Sequence, residues 1–161
     1  MAIDKVRAYF RSLNMEDKVL EFDSSSATVE LAAKALNTEP KRIAKTLSFL
    51  VGDQPVLIVA AGDARVDNHG FKDFFHKKPK MIPADRVEEL IGHQIGGVCP
   101  FAINPGIDVY LDESLKRFET TFAACGSASS AIELSADELE KYSSAKGWVD
   151  VCKSWREEQA S

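Results

Sequence analysis

The chain has 161 residues, which suits one domain with a substantial core. Its hydrophobic share of 45% and charged share of 28% are typical of soluble globular proteins. A net charge of −5 argues against a protein that holds long nucleic acid through many phosphates, so any contact with nucleic acid is expected to be local, at an end of the strand.

Cysteine usage and the absence of long apolar runs indicate the compartment. No apolar run is long enough to span a membrane, and residues 1–5 lack the apolar stretch of a signal peptide. The three cysteines form no CxxC pair, so neither a disulfide framework nor a zinc site is expected. These features favour a cytoplasmic protein.

Helices are predicted from apolar residues at helical spacing and from N-cap residues. Thr28, Asp67 and Ser135 are predicted N-caps, and Ser135 forms a capping box with Glu138. The predicted helices lie, in chain order, at residues 3–13, 29–36, 68–78, 83–91, 112–115 (a short turn), 136–142 and about 147–158.

Strands are predicted most clearly at residues 45–51, which alternate in polarity, and at 56–61, which are apolar on both faces. The short turn between them favours an antiparallel hairpin. The other predicted strands are 19–22, 81–82 (an edge strand), 101–103, 108–111, 119–124 and 131–134. The predicted fold is α+β: a single domain with a central mixed, mostly antiparallel sheet flanked by helices.

The C-terminal helix is predicted from four residues that recur at helical spacing: Trp148, Val151, Cys152 and Trp155. We expect it to pack on the body of the domain. A dimer or partner surface is the alternative, because aromatic residues exposed together mark interfaces.

Lys45 lies in register with the apolar row of its predicted strand, on the same side as Leu47, Phe49 and Val51. A lysine in that position either extends to solvent at the strand end or lies at the mouth of a pocket lined by the row. Both interpretations stay open on the pattern alone.

A second candidate for a functional site is the predicted turn Gly96-Gly97-Val98-Cys99-Pro100-Phe101. Two glycines permit close approaches, and Pro100 fixes φ and removes one donor. Such a turn can present main-chain N–H groups to a carboxyl, an ester carbonyl or a phosphate. An ordinary loop before a strand is the alternative.

Other chemistry-bearing residues give weaker signals. Asp63 and Arg65 either bind a ligand or brace their own loop. The three histidines lack metal-ligand spacing and are expected at the surface or at helix ends. Cys99 is either a small pocket-wall side chain or, with its pKa lowered by the loop amides, a nucleophile.

The chain resembles the YbaK family, the free-standing relatives of the prolyl-tRNA synthetase editing domain, over roughly residues 19–142. Five motifs carry the resemblance, in order: Ala44-Lys45-Thr46-Leu47, Gly62-Asp63-Ala64-Arg65-Val66-Asp67, Gly96-Gly97-Val98-Cys99-Pro100-Phe101, Asp112-Glu113-Ser114-Leu115 and Ala131-Ile132-Glu133-Leu134. The resemblance implies a mixed α+β fold and hydrolysis of the ester that joins a wrong amino acid to tRNA, commonly alanine or cysteine on proline tRNA. It implies no metal or organic cofactor.

The resemblance also implies roles for individual residues. Lys45 would hold a phosphate or polar groups of the terminal nucleotide as a point charge. The loop amides would position the ester carbonyl and stabilise the oxyanion. The candidate catalytic residues are Lys45, Gly96, Gly97, Val98, Cys99 and Pro100. The candidate substrate-binding residues are Phe22, Thr46, Asp63, Arg65, Phe101, Gly126 and Ser127.

No general base is shared by the family, so the implied mechanism is substrate-assisted, through a ribose hydroxyl or the substrate's own side chain. The implied partners are the 3′ end of aminoacyl-tRNA, with proline tRNA expected, and prolyl-tRNA synthetase. This chain departs from the family at Cys99, where many relatives have a small hydroxyl residue or proline, and at Ala124-Cys125, where a hydroxyl residue is common. A non-catalytic aminoacyl-tRNA or synthetase-binding module and a cysteine-dependent hydrolase are the alternative functions.

Overall fold

The computed structural model describes residues 2–155. Its α-helices are α1 (Ala2–Ser12), α2 (Val29–Leu36), α3 (Asn68–Phe75), α4 (Val87–Ile91) and α5 (Ala136–Ser143). Its strands are β1 (Leu20–Glu21), β2 (Ile43–Val51), β3 (Gln54–Ala61), β4 (Arg65–Val66), β5 (Asp108–Asp112), β6 (Thr120–Ala123), β7 (Ser130–Ser135), β8 (Gly147–Val149) and β9 (Cys152–Lys153). Among these residues, no helix is long and apolar enough to cross a membrane.

Seven strands form one mixed sheet in the order β1-β7-β6-β2-β3-β5-β8, which confirms the predicted α+β fold. The pairs β1–β7, β6–β7 and β2–β3 are antiparallel, and β2–β6, β3–β5 and β5–β8 are parallel. The predicted hairpin is its longest ladder, running from Ala44↔Ala61 to Val51↔Gln54. As its continuous apolar run predicts, β3 is buried from Val56 to Ala61.

Three helix starts are found as predicted, each with an N-cap side chain that accepts a hydrogen bond from an amide in the first turn of the helix. The Thr28 side chain accepts a hydrogen bond from the Leu31 amide, and Asp67 accepts one from Gly70. The capping box between Ser135 and Glu138 is complete. These contacts confirm the predicted starts of α2, α3 and α5.

The predicted C-terminal helix is wrong within the described residues. Residues 147–149 add to the sheet as β8, with Leu111↔Trp148 in register, and β9 pairs with β4 in a separate two-stranded sheet. Strand pairing overrides the helical spacing because β5 offers an open parallel edge, and valine and tryptophan fit strands well. The rest of the predicted helix, residues 156–158, lies outside the described residues.

Two predicted strands also need correction. Residues 101–103 form no strand, because Phe101 is fully buried, packs edge-on against Phe10 at 5.0 Å, and is followed by Ala102 in the left-handed region at φ +52°. The predicted edge strand at 81–82 is reduced to a single bridge between Met81 and Phe49.

Candidate active site

A cavity of about 440 Å³ lies between α2, residues 43–48 of β2, the end of β6, the start of β7, and parts of residues 81–98. Its wall is largely apolar, with Val29, Ile43, Val87 and Phe122 among the lining side chains. That volume falls within the range of about 300–1,000 Å³ that small-molecule sites occupy. Of the predicted site residues, the cavity is lined by Lys45, Thr46, Gly96 and Val98.

Lys45 is the cationic group of this cavity. Its Nζ donates to the carbonyl oxygens of Gly62, at 3.3 Å, and Ala64. An ammonium group has three N–H donors, so the described residues leave one for a bound group. Burial lowers the pKa of Lys45 below its usual value, while the Asp63 carboxylate acts in the opposite direction. The side chain is half-buried, so the strand-end lysine that extends into solvent is not what the structure shows.

The carbonyls that hold Lys45 belong to the loop after β3, and Gly62 lets that loop pass close to residue 40. A Cβ atom at position 62 would lie 2.0 Å from the Pro40 carbonyl oxygen and 2.7 Å from Val29 Cγ1. Only glycine fits so close an approach of two backbone segments. The glycine at 62 therefore fixes where the Lys45 ammonium can bind.

The glycine pair of the second candidate forms a turn in which the Gly97 amide donates to the Gln94 carbonyl at 3.0 Å. Gly96 has φ +91°, and Gly97 packs so closely on the next loop that a Cβ would lie 2.6 Å from the Ser127 nitrogen. Within residues 2–155, the amides of Gly96, Val98 and Cys99 donate to no protein acceptor. Gly96 and Val98 line the cavity, whereas Gly97, Cys99 and Pro100 are buried behind it.

Cys99 lies in the core rather than in the cavity. Its Sγ is 3.5 Å from His93 Nε2, and burial raises the pKa of the thiol to about 12. His93 Nε2 lies 2.7 Å from the Phe101 carbonyl, so this nitrogen carries the proton and donates. A protonated thiol beside a donating imidazole has no base to activate it, which argues against a cysteine nucleophile.

His93 itself corrects the sequence prediction of a surface or helix-end histidine, since it is fully buried. Its Nδ1 has no hydrogen-bond partner among the described residues, and burial lowers the pKa of the ring. The neutral tautomer with the proton on Nε2 follows from both observations.

The loop after β6 packs against the glycine turn and against α1. Gly126 has φ +93°, and a Cβ there would lie 3.0 Å from the Ala2 backbone. The Ser127 hydroxyl bonds to Ser130 Oγ at 2.9 Å, and Ser130 also accepts from the Cys125 amide. Ser130 lines the cavity, whereas Gly126 and Ser127 do not. Both therefore act on the shape of the site rather than on its surface.

Four other predicted site residues do not line the cavity: Phe22, Asp63, Arg65 and Phe101. Asp63 braces its loop, but through Arg117, with the two nitrogen–oxygen contacts at 2.5 and 3.0 Å, and not through Arg65. Arg65 is exposed on β4. A ligand role for either side chain is thus not supported by its position.

Sequence reasoning missed several residues of the cavity. Met81 and Ile95 line it and are 59% and 61% exposed, so they form an apolar rim. Ser48 and Ser130 supply buried hydroxyls in its wall. The one sequence signal for this rim was an apolar residue directly before a glycine pair, as in Ile95-Gly96-Gly97, because an apolar side chain in a loop can mark a binding surface. In the described part of the chain, no cluster of His, Cys, Asp and Glu could hold a metal ion.

Comparison with known proteins places this geometry in a family. The family profile described as "Aminoacyl-tRNA editing domain" matches residues 23–142. The "Uncharacterized protein YwhH" of Bacillus subtilis (strain 168) is 52% identical over 156 residues, covering 96% of this chain and 99% of that protein.

A solved structure described as "a putative trans-editing enzyme for prolyl tRNA synthetase" superposes with a TM-score of 0.85 at 26% identity, covering 95% of this chain and 98% of the other. A proline–tRNA ligase of Lactobacillus helveticus (strain DPC 4571) is 27% identical over 107 residues, 62% of this chain but only 18% of the ligase. The match to the profile covers most of the chain, and the chain belongs to the aminoacyl-tRNA editing domain family.

Proposed function

We propose that this protein hydrolyses the ester bond of mischarged aminoacyl-tRNA, with proline tRNA carrying a small wrong amino acid such as alanine or cysteine as its substrate. The observation that carries the proposal is that Lys45 and the amide-bearing turn at Gly96 and Val98 line one cavity. A cation and unpaired N–H donors in a partly closed, apolar site are suited to polarise an ester carbonyl.

The reaction needs water as its only co-reactant. The water oxygen bonds to the ester carbonyl carbon, the carbonyl oxygen becomes the oxyanion, and the C–O bond to the ribose then breaks. The ribose oxygen takes a proton as it leaves, and the products are the free amino acid and uncharged tRNA. Since the described cavity has no carboxylate or histidine in its lining, a hydroxyl of the terminal ribose is the proposed proton carrier.

Charge on the surface supports an RNA end as the occupant. Lys77, Lys78 and Lys80 are exposed and directly precede Met81 of the cavity rim, although the chain as a whole carries a net charge of −5. None of the three lysines makes an ion pair with the described residues. We infer that they contact acceptor-strand phosphates while the terminal adenosine enters beside Met81 and Ile95.

The test is release of amino acid from proline tRNA charged with alanine, cysteine, serine or threonine. Lys45→Met keeps the length of the side chain and removes its charge, and we expect kcat/KM to fall by about 100-fold. Lys18→Met, at an exposed position that does not line the cavity, is the matched control and should leave the rate unchanged. Equal rates for wild type and Lys45→Met would remove Lys45 from the mechanism, whereas tight binding without turnover of any ester would favour the binding-module alternative.

A further inference from the structure

We propose that Asp63, Arg117 and residues 151–155 form a clamp that positions the Lys45 ammonium for the reaction. The clamp lies partly outside the family match, which ends at residue 142. This inference rests on the proposed function, because its readout is the hydrolysis of an aminoacyl ester.

The loop of residues 62–64 is the part that the clamp holds. Two carbonyl groups of this loop bind Lys45 Nζ, so the position of the ammonium depends on the position of the loop backbone. The Ala64 amide returns to the Ala61 carbonyl at 2.9 Å, and Ala64 is fully buried. Glycine at 62 fixes one side of the loop against Pro40 but leaves the other side to be held from elsewhere.

Arg117 holds that other side through Asp63. The guanidinium donates to both carboxylate oxygens, and the two side chains are only 10% and 20% exposed. Arg117 Nε also donates to the Ser114 carbonyl at 3.0 Å. A two-point contact of this kind fixes direction as well as distance.

Trp155 covers the guanidinium and ties it to the C-terminal segment. The Arg117 carbon Cζ lies 5.0 Å from the centre of the Trp155 ring, and Arg117 Nη1 lies 3.5 Å from the Trp155 carbonyl oxygen. Trp155 is 6% exposed, so the ion pair is shielded from water on this side. A shielded arginine–carboxylate pair is held more firmly than an exposed one.

Backbone pairing attaches the same segment to the chain just after the loop. β9 pairs with β4, with Val66↔Cys152 in register, and the Asp67 amide donates to the Val151 carbonyl at 2.8 Å. The Val151 amide in turn donates to the buried Asp112 carboxylate at 3.0 Å. The far end of the loop is thus fixed by Arg117, Asp112 and β9, none of which lines the cavity.

Electrostatics gives the clamp a second effect on Lys45. The charged or titratable groups that act on the ammonium are Cys152, Asp63, Arg65 and Glu30. Asp63 belongs to the clamp, and its charge favours the protonated amine against the effect of burial, whereas burial raises the pKa of Cys152 and leaves its thiol uncharged. Loss of the Asp63 charge should therefore both loosen the loop and lower the pKa of Lys45.

The experiment uses the full chain with Asp63→Asn and Arg117→Lys, each nearly isosteric or charge-conserving so that the fold is retained. Arg11→Lys is the control, because Arg11 is exposed, pairs with Glu16 and does not line the cavity. We expect kcat to fall between about 10-fold and 100-fold for the two clamp variants, with KM nearly unchanged. In Asp63→Asn the alkaline limb of the pH profile should also move to lower pH, which a purely structural defect would not cause.

Trp155→Phe is the second variant, because it keeps an aromatic cover over Arg117 but removes the bond from Nε1 to the Cys152 carbonyl. It should show the same kcat defect to a smaller degree. Folded variants of Asp63 and Arg117 with wild-type kcat and an unshifted pH profile would overturn the proposal. If wild type hydrolyses none of the esters, the proposed function fails instead, so the two failures are distinguishable.

Discussion

The Gly97→Ala substitution tests the contact that shapes the glycine turn. A Cβ at this position would lie 2.6 Å from the Ser127 nitrogen and 2.7 Å from the Gly126 carbonyl carbon, both of them backbone atoms that no rotamer change can move. Ordinary contact begins at 3.4 Å, so one loop must retreat by about 0.8 Å. Gly97 has no positive φ, so the effect comes from this contact and not from backbone strain.

The expected magnitudes follow from that displacement. Inserting one methyl group into a well-packed contact lowers the free energy of unfolding by about 1–3 kcal/mol. A misplacement of about 1 Å in a catalytic loop can cost about 100-fold in rate, so kcat for ester hydrolysis should fall between about 10-fold and 100-fold. The assays are urea unfolding and deacylation of mischarged proline tRNA, measured on the same preparation.

Gly147→Ala is the matched control, because a Cβ at position 147 meets nothing within 4 Å. It should change the free energy of unfolding by no more than about 0.5 kcal/mol and leave kcat unchanged. If Gly97→Ala behaved like Gly147→Ala in both assays, Gly97 would not lie in close contact with the backbone of residues 126–127.

Three further predictions concern titration. The rate kcat/KM should fall at alkaline pH with an apparent pKa below that of an ordinary lysine, because burial lowers the pKa of Lys45 and the reaction needs its cation; Lys45→Arg should lose that limb. Burial also lowers the pKa of His93, so the unfolded chain takes up a proton that the folded chain rejects. The stabilisation that depends on neutral His93 should therefore be fully present above pH 6.5, and the free energy of unfolding should decline as the pH falls from there through the folded-state pKa. Urea unfolding of His93→Gln should show a weaker dependence of that free energy on pH in the same range. Cys99→Ala should keep kcat/KM within about threefold of wild type, since the thiol stays protonated outside the cavity; a loss as large as that of Lys45→Met would restore the cysteine-hydrolase alternative.

Local physics made much of the fold predictable. The polarity pattern of residues 45–51 and 56–61 depends only on which faces of a strand are covered, and it located the central hairpin correctly. The caps at Thr28 and Ser135 likewise depend on residues no more than three positions away. Signals that are complete within a few residues survive in the folded chain.

The C-terminal segment shows where such signals fail. Its tryptophans fit a helical spacing, but their structure is set by β5 and β4, which lie far away in the sequence. No pattern within the segment itself indicates that β5 can pair with a further parallel strand. The helix prediction therefore failed through a tertiary contact.

In the candidate site, too, the features set by local sequence were predictable and those set by tertiary contacts were not. The strand register of Lys45 and the glycine pair were visible in the sequence as candidates, and Lys45 and the first glycine of the pair, Gly96, line the cavity. The partner of Asp63 was not visible, because Arg117 is 54 residues away. The contact between Cys99 and His93 depends on how Phe101 enters the core, which no spacing in the sequence reveals.

The central claim is that an acylated RNA 3′ end lies between Lys45 and the turn at Gly96 and Val98. The most direct measurement is a crystal structure with 3′-alanylamino-3′-deoxyadenosine, in which an amide replaces the ester and resists hydrolysis. We expect the amide carbonyl to accept from the Gly96 or Val98 N–H and the nucleoside to lie within hydrogen-bond reach of Lys45 Nζ. Binding of this compound outside the cavity, in a protein that still deacylates mischarged tRNA, would contradict the account.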